Sequence, residues 1–241
     1  MLRKKFLTLA AGAGWIIFVG LWRIHNLLAF YKFNQLNPCT VDFLIEMQGA
    51  DTLGLYIMPA ALLLNYFSQR LYHNRTAEVR FHGRKDIVRI ALIKSVLMGV
   101  FLSLVQLILV CLRCAILRVP LNNWFSSDSV YYYRTTQTLE INSIALILLA
   151  FGFCLCKYMV FFVLQDILMW YGLAVVFGWV IEIGISGAEG AYGKIFFNVL
   201  NIRYEYLSNY GMQGLLIILC LMIIFAEILY FRRMLRRKDI Y

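Results

Sequence analysis

Clusters of lysine and arginine alternate with long apolar runs along this chain, and that alternation limits what the chain can fold into. One cluster precedes the first apolar run, one separates the second run from the third, and one follows the last. The clusters are Arg3, Lys4 and Lys5; Arg70, Arg75, Arg80, Arg84, Lys85, Arg89 and Lys94; and Arg232, Arg233, Arg236, Arg237 and Lys238. Because bilayer-inserted proteins keep positive charge on the cytoplasmic side, the pattern predicts both membrane location and orientation.

The composition supports the same prediction. Of the 241 residues 62% are hydrophobic, well above the roughly 45–50% of soluble domains, so the excess must face lipid. The net charge of +10 would suggest nucleic-acid binding in a soluble protein, but the positive-inside bias accounts for it here. We therefore expect no nucleic-acid partner.

Six apolar runs are long enough to cross a bilayer, which takes about 20 residues. The predicted spans are residues 6–28, 52–71, 88–116, 141–163, 166–185 and 212–231. An even number of spans with a cytoplasmic N-terminus returns the C-terminus to the cytoplasm, where its basic cluster belongs. The prediction is a single all-α transmembrane domain over residues 1–241, with both termini cytoplasmic in a bacterial plasma membrane.

Two details of the spans carry separate predictions. The almost continuous apolar stretch 141–185 is too long for one helix, so we place its inner turn at Gln165-Asp166 and leave its exact boundaries open. Lys157 then either reaches the interface or faces other helices. Pro59 lies inside the second span, where it can kink the helix if neighbouring groups satisfy the freed carbonyl.

Candidates for catalysis are few. Gly184-Ile-Ser-Gly187 resembles the GxSG motif of rhomboid intramembrane proteases, but no histidine follows Ser186 to act as its base. The glycines before Lys194 do not have the spacing of a phosphate-binding loop. The spacing Cys111-Leu-Arg-Cys114 has no second ligand pair, and no other metal-ligand spacing is present. We predict no catalytic, cofactor-binding or metal-binding residue, so any ATP would be hydrolysed on another subunit.

The apolar runs show no carboxylate pair and no polar site near the membrane midplane. That disfavours a proton-coupled carrier and a sugar or ion substrate. The connections 117–140 and 186–211 are rich in aromatic residues, among them Trp124 and the run Tyr131-Tyr132-Tyr133. Anchoring in the headgroup region is the first explanation for these aromatics, and contact with an amphipathic substrate is the second.

The strongest functional candidate is the basic connection at about residues 72–86. It is short and polar, and it is suited either to docking on a soluble subunit or to resting on anionic headgroups. Together with the six-span layout, the basic stretch 80–89 leading into the third span and the apolar connection 187–210 resemble the ABC-2 type permeases of bacterial peptide or antibiotic export and immunity systems.

The resemblance implies a coupling segment, an outer gate and partners. The coupling residues facing a cytoplasmic ABC ATPase would be Arg75, Glu78, Arg80 and Arg84. The outer gate would include Ser186, Gly187, Phe196, Phe197 and Tyr204. A second permease, identical or a sister subunit, would complete the transporter within the membrane lipids. The expected function is ATP-driven export of an amphipathic peptide or lipid-like substrate.

Two other functions stay open on the sequence. One is a non-transporting membrane scaffold or immunity protein, which needs no motif, and the other is an intramembrane serine protease using Ser186. Substrate identity, import against export, and the source organism are also open.

Overall fold

A computed structural model of the chain describes residues 2–69, 84–170, 204 and 210–237. This part is mostly helical and contains no β-strand, as the sequence predicts. The helices are α1 (Leu2–Phe33), α2 (Thr40–Met47), a π-helical segment (Ala50–Ile57) that continues into α3 (Met58–Gln69), α4 (Arg84–Ile116), α5 (Val130–Thr135), α6 (Ser143–Trp170) and α7 (Tyr210–Arg237). Among the described residues three stretches are long and apolar enough to cross a membrane, namely Ala10–Phe33, Arg89–Ile116 and Ser143–Met169.

Helix α6 lies at the centre of the bundle and packs against α2, α3, α4 and α7. Its buried side chains include Leu146, Phe153, Tyr158 and Phe162. Its sequence is apolar on all sides, as expected of a helix that is surrounded by other helices and lipid. Helix α1 packs closely on its neighbours because Gly12 and Gly20 leave room for Leu64 of α3 and Leu109 of α4.

The turn predicted at Gln165-Asp166 is wrong, because α6 continues without a break to Trp170. Both side chains are buried inside the bundle and bonded to neighbouring helices. Gln165 exchanges hydrogen bonds with α3, and Asp166 accepts one from Ser95 of α4. Polar residues that looked like a loop in the sequence are therefore tertiary contacts within a helix.

The chain from Thr40 to Gln69 forms one interrupted helix. Helix α2 ends at Met47, the backbone leaves helical geometry at Gln48-Gly49, and a π-helical segment precedes Pro59. In that segment the Met58 N–H bonds to the Leu53 carbonyl, five residues back. The helix is interrupted at Gln48-Gly49. The wider π-helical turns lie directly before Pro59, which has no backbone N–H to donate.

The connections 34–49 and 117–142 pack together at one end of the bundle, which we call the cap. The Thr40 N–H donates to the Pro120 carbonyl over 2.9 Å, and the Asn37 N–H donates to the Asp128 carbonyl over 3.0 Å. The Asn123 amide donates to the Asn37 carbonyl over 2.7 Å. Anchoring in headgroups does not explain Trp124 and Tyr131, since both are fully buried in the cap; Phe125 and Tyr133 are exposed.

Candidate functional site

A buried carboxylate, Asp42, joins three separate segments of the cap. It lies in the first turn of α2, is fully buried, and accepts from the Cys39 backbone N–H over 2.8 Å. Its Oδ1 accepts from the Trp124 indole over 2.9 Å and from the Tyr204 hydroxyl over 3.1 Å. Trp124 belongs to the connection 117–142 and Tyr204 to the predicted outer connection. We call these four residues the Asp42 cluster.

Aromatic packing surrounds the carboxylate. The rings of Trp124 and Tyr131 stack with centroids 4.9 Å apart, and Tyr204 lies edge-on to Trp124 at 5.7 Å. These separations are typical of favourable aromatic pairs, each worth about 0.5–1.5 kcal/mol beyond burial. The rings exclude water from the cluster, so the hydrogen bonds to Asp42 are made in a low dielectric.

The electrostatics of the cluster follow from its burial. Desolvation raises the pKa of Asp42 above its ordinary value, and the hydrogen bonds from Cys39, Trp124 and Tyr204 oppose that rise. All three donors belong to the protein, which makes this carboxylate a tether between segments. At the exposed rim, Arg134 of α5 lies 3.6 Å from Glu46 of α2, a surface ion pair of small energetic value.

A buried lysine lies at the other end of α2. The Lys157 ammonium is fully buried and donates to the Gln48 carbonyl over 2.8 Å. Lys157 is near the middle of α6, about 21 Å along the helix from Ser143. The free carbonyls at the C-terminal end of a helix carry partial negative charge, so the ammonium stabilises the helix end at the interruption. Gln48 also donates to the Ala150 carbonyl over 2.7 Å.

Further polar pairs continue along α6. The Cys154 thiol donates to the Gln106 side-chain oxygen of α4 over 2.9 Å, and the Asn65 amide of α3 donates to that of Gln165 over 2.9 Å. With Lys157 at mid-helix, these pairs form a buried polar row inside the bundle. The prediction from the sequence was that the apolar runs hold no polar site, whereas packing brings these polar side chains together inside the bundle. A single apolar run hides polar residues that come together only when helices pack.

The predicted site residues fall largely outside the described part of the chain. Arg75, Glu78 and Arg80 of the coupling segment lie outside it, and Arg84 is the first residue of α4, described by its backbone alone. Ser186, Gly187, Phe196 and Phe197 of the outer gate also lie outside it. Tyr204 is described, and it is buried in the Asp42 cluster rather than displayed to solvent.

The sequence contained signals for two of the residues that were missed. Asp42 stands three residues after Cys39, and its side chain returns to the backbone N–H at the start of α2, as the acidic residue of a capping box does. Gln48-Gly49 is a polar, glycine-containing break directly before an apolar run, which is typical of a helix end. No comparable local signal connects Lys157 with Gln48, because their contact spans 109 residues of sequence.

The described cysteines are free, and no group of three or more His, Cys, Asp or Glu side chains suited to a metal occurs in the described ranges. Comparison of the chain with family models, with curated proteins and with solved structures finds no match in any of the three.

Proposed function

We propose that the chain is the membrane-spanning permease subunit of an ATP-binding-cassette transporter in a bacterial plasma membrane. It would work by alternating access, driven by a separate ATPase, and export an amphipathic peptide or lipid-like substrate. A second permease and two cytoplasmic ATPase subunits complete the assembly.

The observation that carries the proposal is the interrupted helix from Thr40 to Gln69, with Lys157 at its break. Irregular backbone at membrane depth is tolerated where protein buries it, and interrupted helices recur in transporters at the point where segments rearrange. An ionisable residue buried among membrane helices is costly and generally has a functional role. A rigid scaffold has no need for either feature, so they favour transport over the scaffold alternative.

The course of the described helices supports six spans with both termini on one side. Tyr204 lies in the cap, whereas Ile167 near the end of α6 packs with Phe231 of α7 and Ala91 of α4 at the opposite end. A further span between α6 and Tyr204 is part of the proposal; its predicted start at residue 166 does not hold, because α6 continues to Trp170. The exposed Arg89, Arg232 and Arg233 then lie at the end opposite the cap, which becomes cytoplasmic by the positive-inside rule.

Coupling to the ATPase is assigned to the basic connection, with Arg75, Glu78, Arg80 and Arg84 as its contact residues. Of these residues only Arg84, the first residue of α4, belongs to the described part of the chain. The polar row around Lys157 is packed and hydrogen-bonded within the bundle. An amphipathic substrate that slides along helix surfaces fits this interior better than a fully hydrated one.

The test is purification of the tagged chain from native membranes in mild detergent, with identification of its partners and an ATPase assay. Arg80→Glu combined with Arg84→Glu should release a co-purifying ATPase and abolish its turnover, because the charge reversal repels the docking surface. Arg232→Glu combined with Arg233→Glu reverses the same number of charges elsewhere on the predicted cytoplasmic side and should retain the ATPase.

Lys157→Met tests the interrupted helix in the same assay. The variant should keep the ATPase bound but lower its turnover at least ~10-fold, because the Gln48 carbonyl at the helix interruption loses its hydrogen bond from the Lys157 ammonium. The variant should remain folded, since methionine avoids the free-energy cost of burying a charge, and this gain offsets the loss of the hydrogen bond. A chain that purifies without an ATPase, even after crosslinking in membranes, would contradict the permease proposal and favour a scaffold or immunity protein.

A further inference from the structure

A cavity of about 540 Å³ opens at the cap, where α1 and α4 end. Its apolar wall includes Leu28 of α1, Leu36 after it, Val119 after α4, and Phe125. Both helices that border the cavity belong to the stretches able to cross a membrane, so the opening lies at their membrane-surface ends. The cavity is separate from the Asp42 cluster and from the polar row around Lys157.

Two cations from different segments stand at this cavity. Lys32 lies in the last turn of α1 and Arg118 directly after α4, and both are exposed. One carboxylate, Asp128, also borders the cavity and accepts hydrogen bonds from Ser126 and Asn37, which lower its pKa. Asp128 therefore stays ionised, and the three side chains together leave one positive charge for a ligand.

Two buried polar atoms at the cavity have no hydrogen-bond partner among the described residues. They are the hydroxyl of Tyr31, which is 1% exposed, and the side-chain oxygen of Asn123, which is 9% exposed. Both atoms are closed off from the cavity, since each exposes less than 1 Å², so a ligand in the cavity does not reach them and they add nothing to its recognition. The charges at the rim and the apolar wall carry the argument instead.

Arg118 occupies a backbone conformation that glycine would favour. Its φ is 57°, and the bonds from the Arg118 N–H to the Ala115 carbonyl and from the Val119 N–H to the Cys114 carbonyl close the end of α4 as a Schellman motif. Glycine is the usual residue at this position because it has no Cβ to strain the backbone. Gln35 after α1 and Thr136 after α5 have the same left-handed backbone, so this conformation marks a helix end and is not particular to the cavity.

We propose that this cavity binds the headgroup of an anionic phospholipid from the leaflet on the cap side. The single negative charge of a phosphodiester matches the net charge left by Lys32, Arg118 and Asp128. Lys32 and Arg118 hold the phosphodiester at the rim, and the acyl chains run along the apolar wall into the bilayer. The proposal requires insertion in a membrane but not the permease function.

The test is native mass spectrometry of the full chain, titrated in detergent with phosphatidylglycerol or with phosphatidylcholine of the same acyl chains. The unaltered chain should retain phosphatidylglycerol at least ~10-fold more tightly. Lys32→Gln should weaken that binding ~2- to 10-fold, because it removes one of the two cations that face the headgroup. Arg118→Gly should weaken it ~10-fold while raising the thermal midpoint of the lipid-free chain, because it relieves the strained backbone.

The matched control is Arg232→Gln combined with Arg233→Gln, which removes charge at the opposite end and should leave at least one tightly held phosphatidylglycerol. Equal retention of both lipids would overturn the proposal. So would displacement of the lipid by an equal concentration of inorganic phosphate, since the apolar wall would then contribute nothing. Loss of affinity in the control equal to that in Arg118→Gly would also overturn it, because binding would then follow total charge.

Discussion

At the scale of single residues, the buried polar groups determine how this chain is held together. Asp42 connects Cys39, Trp124 and Tyr204, and Lys157 connects the middle of α6 with the end of α2. In each case a polar group is removed from water and paired with partners far away in sequence. Leaving such a group unpaired costs about 1–3 kcal/mol, so these contacts select one arrangement of the segments.

Asp42→Asn should lower the free energy of unfolding by about 1–3 kcal/mol, because it puts an amide NH2 group, which donates, where a carboxylate oxygen accepts from a donor in the unaltered protein. The readouts are the thermal midpoint in detergent and the rate at which a maleimide labels Cys39, which is fully buried beside Asp42. Labelling should accelerate as the cluster opens. Glu140→Gln is the control, since it makes the same chemical change at an exposed site in the connection 117–142. Equal effects of the two substitutions would contradict a tethering role for Asp42.

At the scale of the elements, the second predicted span is an interrupted helix rather than a simple one. Its π-helical segment lies against α1, where the Trp15 indole donates to the Tyr56 carbonyl over 2.9 Å. That carbonyl belongs to the turn before Pro59, where the backbone lacks a donor. The carbonyl that Pro59 itself leaves without a donor lies one or two residues earlier, at Gly54 or Leu55, so the Trp15 bond fixes α1 to the π-helical segment and does not replace the bond lost at the proline.

Trp15→Phe should destabilise the packing of α1 on the π-helical segment by about 0.5–1.5 kcal/mol, because the Tyr56 carbonyl loses a donor in an apolar environment. Trp22→Phe is a matched control. Trp22 packs edge-on against the same tyrosine at 5.6 Å, and phenylalanine keeps that aromatic contact. Thermal unfolding of both variants in one detergent compares them directly. A control that loses as much stability as Trp15→Phe would show that ring packing, and not the hydrogen bond, holds this segment.

At the scale of the whole molecule, the cap and the exposed Arg89, Arg232 and Arg233 lie at opposite ends of the bundle. The connections 34–49 and 117–142 and Tyr204 converge at the cap, while Phe231 of α7 packs near the start of α4 at the other end. This polarity is what the alternation of apolar and basic segments predicts. We expect the end that carries these arginines to face the cytoplasm and the end with the proposed lipid site to face outward.

Cysteine labelling tests that orientation. Ser127→Cys, at an exposed position of the cap, should react with a membrane-impermeant maleimide in intact cells. Arg233→Cys, exposed near the end of α7, should react only after the membrane is permeabilised. The unaltered chain provides the baseline from its native cysteines. The reverse labelling pattern would place the cap in the cytoplasm and would contradict both the topology and the assigned coupling side.

The sequence by itself determined the helical class and the presence of membrane-spanning stretches, because hydrophobicity and charge act locally and can be summed along the chain. It also predicted that Pro59 could kink its helix, where the structure has π-helical turns directly before the proline. Only the tertiary structure decided that Gln165-Asp166 lies within a helix, that Trp124 is buried, and that Lys157 supports a helix end. These outcomes depend on partners roughly 70 to 110 residues away, and whether a polar side chain reaches water, lipid or another helix is settled only by packing.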